Sequence, residues 1–233
     1  MDACIATGST MNTKAGTMPE TQTEACRNRL ISGLAALNLQ PDDHQIGKLI
    51  DFIVLIEKWN KAYNLTAIRN KEDMVSLHLL DSLAIIPFVT GRRVIDIGTG
   101  AGLPGIPLAI CLPDTAFTLL DSNAKKTRFV QQAVLELKLN NVAACHHRVE
   151  NYHPEKPFNT VITRAFAGLA DIVKSTAHLL DKEGVLLAMK GQNPEAELAQ
   201  LSAKTTLIPI KVPGIAAERC LVRIESEATT EVI

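Results

Sequence analysis

A chain of 233 residues, 46% of them hydrophobic, can bury one α/β core plus a smaller attachment; its formal net charge of −1 excludes bulk attraction to nucleic acid and leaves such a partner only a local basic face. The five cysteines, Cys4, Cys26, Cys111, Cys145 and Cys220, are odd in number and widely spaced with no Cys-x-x-Cys pair, so neither a disulfide frame nor a metal site is signalled and reduced thiols are expected. No apolar run approaches the ~18 residues of a membrane span, which points to a soluble, cytoplasmic protein.

Taken in chain order, residues 1–19 are rich in Thr, Gly, Ala and Met without a basic stretch ahead of an apolar one; they read as a disordered leader, not a secretory signal. Residues 20–90 read as a helical N-terminal segment. Leu30, Leu34, Leu37 and Leu39 are followed by Ile46, Leu49, Ile50, Ile53, Leu55 and Ile56 at helical spacing. Pro41, Asp42 and Asp43 open the second helix, and a third run, Met74 to Ile86, is expected to stop before Pro87.

From residue 91 to 233 the rhythm changes. Val94 to Ile97 is a short apolar run ending in glycines, and further strands are predicted at Phe117–Leu120, Val142–Cys145, Thr160–Thr163 and Val185–Met189. Helical patterns lie between them, clearest at Lys125–Leu137 and Leu169–Leu180. This alternation implies a doubly wound, mostly parallel α/β sheet. Leu207–Val212 and Cys220–Glu225 have no helix between them and are expected to close the sheet as an antiparallel hairpin.

The sharpest motif is Asp96-Ile97-Gly98-Thr99-Gly100-Ala101-Gly102-Leu103-Pro104-Gly105, directly after the first strand. Its glycines allow a tight turn and close approach to a ligand. Gly98, Gly100 and Gly102 have methyltransferase spacing, whereas the dinucleotide fingerprint read from Gly98 fails because position 103 is Leu. Asp96 would help bind the charged amino group of S-adenosylmethionine and would repel a pyrophosphate. Asp121, ending the second strand, stands where such folds place a carboxylate on ribose hydroxyls, although Asp121 or Ser122 would serve equally as a helix cap. Val149 and Glu150 would face the adenine, with a solvated loop acid the alternative for Glu150. Residues 91–233 are then an S-adenosylmethionine-binding domain.

Other candidates have bland alternatives. His78 and Asp81, three apart on one helical face, would line a target pocket or simply form a structural hydrogen bond, the commoner role of such a pair. Trp59 and Tyr63 would stack on a base, but core packing suits them better; Asn64 would bind a flipped-out base or end a helix. Lys125, Lys126 and Arg128 with His146, His147, Arg148 and Lys190 form the one local basic surface, which a solvated helix face explains nearly as well.

Ordered blocks then carry a resemblance. Lys58-Trp59-Asn60-Lys61-Ala62-Tyr63-Asn64-Leu65-Thr66-Ala67-Ile68, His78-Leu79-Leu80-Asp81-Ser82-Leu83, the turn Gly98 to Gly105, Leu120-Asp121-Ser122 with Lys125-Lys126, Thr163-Arg164-Ala165-Phe166 and Met189-Lys190-Gly191 together resemble the bacterial 16S rRNA guanine-N7 methyltransferase family, also called glucose-inhibited division protein B. The resemblance runs from about Lys58 to Gly191. It implies a class I, Rossmann-like methyltransferase fold with an N-terminal helical extension, and cofactor contacts at Gly98, Leu103, Val149, Glu150 and Arg164. It implies methyl transfer from S-adenosylmethionine to N7 of a guanine (position 527, in the 530 loop) of 16S rRNA, free or in the small ribosomal subunit. No membrane or obligate protein partner is expected. Two departures stand out: Asn159, where the family usually has Asp, and the run His146-His147-Arg148.

Guanine N7 has a lone pair and no proton, so no general base is needed and no catalytic side chain is expected; Arg164, His78, Asp81 and Asn64 are positioning candidates. A small-molecule methyltransferase would share every cofactor residue. A nicotinamide-dependent oxidoreductase fits the looser glycine pattern, and a non-catalytic RNA-binding module would not need the turn with Asp121.

Overall fold

The computed structural model describes residues 20–164, 168–192 and 194–226; the expected leader 1–19 and the Ala165-Phe166 part of the fourth-strand motif lie outside the described residues. The helical segment begins with α1 (Glu20–Ala36) and α2 (Asp43–Tyr63). Asp42 starts α2 by a reciprocal capping box: its side chain accepts the Gln45 amide at 2.7 Å, and the Gln45 side chain accepts the Asp42 amide at 2.9 Å. Asn64 ends α2 in the left-handed conformation, φ 48°, with its amide donated to the Asn60 carbonyl.

The third helical run departs from its expected bounds. α3 (Lys71–Met74) begins it, a π-helical turn over Val75–Leu80 follows, and α4 (Asp81–Leu83) ends it. Pro87 is not a stop placed after the helix but part of a 3₁₀ turn, Ile86–Phe88, whose first residues have no amide partner to lose. The π turn carries His78 and leads directly into Asp81, and the Ser82 hydroxyl ties it down by donating to the His78 carbonyl.

The remaining elements are β1 (Arg93–Ile97), α5 (Gly105–Cys111), β2 (Ala116–Asp121), α6 (Ala124–Glu136), β3 (Val142–His146), β4 (Phe158–Arg164), α7 (Leu169–Thr176), β5 (Leu180–Lys190), α8 (Glu195–Leu198), β6 (Thr205–Pro209) and β7 (Cys220–Glu225). They form one seven-stranded sheet ordered β3-β2-β1-β4-β5-β7-β6. β1 to β5 pair in parallel, while β7 pairs antiparallel with both β5 and β6, the hairpin expected from Pro213-Gly214. β6 starts two residues earlier than predicted and ends at Pro209, beyond which one more pairing survives, Ile210 N–H to the Arg219 carbonyl at 2.8 Å.

Apolar residues explain both faces. Leu30, Leu49, Phe52 and Ile56 of the helical segment join Val94, Ile106 and Phe129 in one unbroken buried cluster. Phe52 stacks on Phe129 with ring centroids 6.4 Å apart, so residues 20–90 have no core separate from the sheet's. On the opposite face Ile95, Ile97, Val161 and Leu186 pack against Leu169 and Ile172 of α7. Neighbouring side chains alternate along β1, which places Asp96 on the α5 side with Val94. Cys111 packs against the first cluster and Cys145 against the second, and all four described cysteines are free. No helix among the described residues is long and apolar enough to cross a membrane.

Strand order reverses between β1 and β4. Open α/β sheets leave a crevice at the carboxyl ends of such strands. Gly98, Asp121, Arg164 and Lys190 all lie along that edge.

Candidate functional site

The turn after β1 hangs from β2. Gly98 and Thr99 both donate their amides to the Leu120 carbonyl, at 2.8 and 3.1 Å, and Gly98, Gly100 and Gly102 all have positive φ. Asp96 clasps the turn from beneath: its Oδ2 accepts the Thr99 hydroxyl at 2.6 Å and the Gly105 amide at 2.9 Å. Asp96 is fully buried, which pushes its pKa up to about 6 although both hydrogen bonds pull the other way. Asp96, expected to bind the cofactor, is not among the residues that line the cavity beside Asp121. Its side alternation points it under the turn instead of onto a cavity wall, so it acts through the turn's shape. Its Oδ1 is buried with no hydrogen-bond partner.

Asp121 acts from above. Its Oδ2 accepts the Gly100 amide and its Oδ1 the Asn123 amide, both at 2.8 Å. The cap of α6 is neither Asp121 nor Ser122 but Asn123, whose side chain accepts the Lys125 and Lys126 amides at 3.0 and 3.3 Å. Beside Asp121 lies a cavity of about 440 Å³ whose wall includes Gly98, Val149, Glu150 and Arg164. Lys126, His147 and Arg148 also reach it, so part of the predicted basic surface edges this cavity. Lys125 and Arg128 stay on the exposed face of α6. Gly100, Gly102 and Leu103 shape the turn without lining the cavity.

A second cavity of about 420 Å³ adjoins it, walled by His78, Asp81, Arg164, Lys190 and Arg219. Arg164, at the end of β4, lines both. Asp81 is buried and forked: Oδ1 accepts Arg219 Nε at 3.0 Å and Oδ2 accepts Arg164 Nη1 at 3.4 Å. His78 Nε2 pairs with the Thr66 hydroxyl at 2.9 Å, and the loop carrying Thr66 is pinned by two 3.0 Å bonds to the Asn60 side chain. Burial first, then the Arg164 charge, lowers the His78 pKa to about 4, so the ring is neutral at neutral pH. Lys190 Nζ pairs with Glu197 at 2.9 Å.

For three further places the structure shows the structural alternative, at Trp59 and Tyr63 the one favoured from the sequence. Asn64 is an exposed helix end and lines neither cavity. Trp59 and Tyr63 pack on each other, and Trp59 on Phe129, leaving neither at the site. Asn159 makes the departure from Asp harmless, because its Oδ1 accepts the Arg92 and Arg93 amides at 3.0 and 3.1 Å, a task needing no charge. Arg219 was missed by sequence reasoning; it lies 138 residues from Asp81 and no local pattern announces it. Thr99, within the quoted turn, was passed over because a threonine among glycines reads as spacer.

The residues suit a nucleoside with a charged amino-acid tail. A Cβ at Gly100 would meet nothing nearer than the Gly98 carbonyl at 3.9 Å, so the turn leaves a cradle above it. Asp121 keeps spare lone pairs for ribose hydroxyls, and the orphaned Asp96 oxygen raises the negative potential beneath the turn. The same two carboxylates disfavour a pyrophosphate.

Residues 45–220 match the GidB family model, described as rRNA small subunit methyltransferase G. A protein named ribosomal RNA small subunit methyltransferase G from Legionella pneumophila is 50% identical over 201 residues, covering 86% of this chain and 95% of its own. One of the same name from Hydrogenovibrio crunogenus is 48% identical, over 84% and 93%. Among solved structures, a putative O-methyltransferase from Klebsiella pneumoniae aligns over 90% of this chain and 100% of its own with a TM-score of 0.56 at 14% identity. A SAM-dependent methyltransferase from Aquifex aeolicus aligns over 66% and 93% with a TM-score of 0.52, also at 14% identity. At that identity both speak to the fold alone: the doubly wound methyltransferase sheet with helices before it.

Proposed function

The chain belongs to the rRNA small subunit methyltransferase G family, and from that premise we propose that it transfers a methyl group from S-adenosylmethionine to N7 of a guanine in 16S rRNA, in the cytoplasm. The observation that carries this reading is the place of Arg164, which lines both the cavity beside Asp121 and the one beside Asp81. A donor held in the first and a base entering the second would meet at that side chain.

Gly98, Asp121, Val149, Glu150 and Arg164 would hold S-adenosylmethionine, with Asp96, Gly100, Gly102 and Leu103 shaping the turn beneath it. The cofactor supplies an electrophilic methyl group on a sulfonium. With it bound, the guanine N7 lone pair would take up that carbon as the carbon–sulfur pair left on sulfur, and the positive charge would pass to the base. No proton moves. The chain's own work is alignment and exclusion of water, for which effective molarities supply up to about 7–11 kcal/mol of the barrier. Residues 20–90 contribute the His78–Asp81 wall, and residues 91–233 contribute the turn and Arg164.

The test is labelled methyl transfer to small ribosomal subunits from cells lacking the modification, followed by nucleoside mass spectrometry. The expected product is 7-methylguanosine in 16S rRNA. Label at N1, N2 or a ribose overturns the N7 assignment. Stabilisation by NADH exceeding that by adenosylhomocysteine overturns the methyltransferase reading altogether.

A further inference from the structure

We propose that Asp81 is a positioning residue for the methyl transfer, one that acts through Arg164 and Arg219 by cancelling their charge beside the base on which positive charge develops. This role presupposes the guanine-N7 reading above.

Three distant pieces of chain meet at this carboxylate. Asp81 opens α4 directly after the π turn, Arg164 ends β4, and Arg219 precedes β7. Each carboxylate oxygen serves a different arginine, at 3.0 and 3.4 Å, and Asp81 is 6% exposed. The cavity wall holds three cations, Arg164, Lys190 and Arg219. Asp81 is the carboxylate among the described residues of that wall, and Lys190 has its own partner in Glu197. His78 adds nothing, being neutral at neutral pH. Removing the Asp81 charge would leave Arg164 and Arg219 without their shared carboxylate in a partly buried space where charges are weakly screened.

Charge of that sign works against this chemistry. The reaction moves a positive charge from the sulfonium onto the base, so an uncompensated cation nearer the base than the sulfur raises the barrier, and Arg219 lines the base cavity without lining the one beside Asp121. Buried ion clusters are weak contributors to stability compared with apolar packing. A carboxylate shared by two arginines, one of which lines both cavities, is better explained by the reaction.

A merely structural Asp81 would tether the segment before β7 to the helical segment, and the two roles separate on rescue. Single-turnover methyl transfer would be measured at saturating adenosylmethionine and small subunits for wild type, Asp81→Asn, Arg219→Gln and the double variant. Asp81→Asn should slow the transfer about 10- to 100-fold while adenosylhomocysteine affinity moves less than about threefold. Adding Arg219→Gln should recover about tenfold of that loss, since it removes the cation left unpaired. A tether predicts a double variant no faster than Asp81→Asn, and that result overturns the proposal. Should Asp81→Asn not fold, Arg219→Gln alone decides: the proposal expects a faster step at saturating subunit, the tether a slower one. Failure of the N7 reading itself is seen separately, in the wild-type product.

Discussion

The Asp121 carboxylate accepts the Gly100 amide at 2.8 Å across 21 residues of sequence, so the end of β2 holds the glycine turn of β1 open. Asp121→Ala removes this bond and the one to the Asn123 amide. Losing charge-assisted hydrogen bonds of about 1.5–3 kcal/mol should weaken adenosylhomocysteine binding roughly 10- to 100-fold. Asp121→Asn keeps one acceptor for Gly100 and should lose less. Calorimetry giving equal affinity for wild type and Asp121→Ala would reduce Asp121 to a local turn residue.

Gly100 and Gly102 share positive φ, 59° and 78°, yet should fail differently when changed to alanine. At Gly100 the space above is open, so Gly100→Ala pays only the left-handed strain of about 1–2 kcal/mol in the fold, and its methyl would enter the cradle proposed for the cofactor. At Gly102 a Cβ would sit 2.5 Å from Ile106 Cδ1, so overpacking is added to the strain. The expected outcome is a larger loss of ligand affinity than of stability for Gly100→Ala, and the reverse for Gly102→Ala. Paired thermal melts and calorimetry check it; the same ranking in both assays would refute the distinction.

Local chemistry made most of this legible. The short apolar run of β1 marked a buried strand, and Gly98, Gly100 and Gly102 marked a tight turn because few other residues tolerate their backbone. The π turn at Val75–Leu80 was not legible, since its apolar spacing imitates an α-helix. The bonds of Asp96 to Thr99 and Gly105 were not legible either, since only the strand's alternation shows it facing α5. Arg219 had no signal at all, because its partnership with Asp81 is made by β7 being inserted between β5 and β6.

Asp96 and His78 should give the fold opposite pH dependences. The folded Asp96 pKa is raised from 3.8 to about 6, so between those values the folded chain holds a proton that the unfolded chain has released. Stability then falls as pH rises through that window, by about 3 kcal/mol. The folded His78 pKa is lowered from 6.5 to about 4, so there the unfolded chain binds the extra proton and stability is lost as pH falls from 6.5 to 4. The two slopes oppose each other between about pH 4 and 6. Asp96→Asn should make stability climb more steeply with pH than in wild type, and His78→Gln should make it decline. Urea denaturation at pH 4.5, 5.5, 6.5 and 7.5 measures all three slopes. Parallel slopes would show that neither group is shifted by folding.

The transfer itself should need no proton acceptor. The proposed nucleophile, guanine N7, bears no proton. The nitrogen nearest to that role on the target side, His78 Nε2, is engaged with the Thr66 hydroxyl at 2.9 Å, and its pKa of about 4 makes it a poor base. His78→Gln is therefore expected to act through placement of the cavity wall. Misplacement alone can cost about 100-fold, so a large loss would not identify a base. Shape of the pH profile discriminates where magnitude does not. Single-turnover transfer at saturating cofactor and small subunits should be nearly flat from about pH 6 to 8.5 in both wild type and His78→Gln. A general base titrating near neutrality would make the rate climb about tenfold per pH unit below its pKa. A steep limb that is present in wild type and absent from His78→Gln would make His78 the proton acceptor and sink the base-free mechanism.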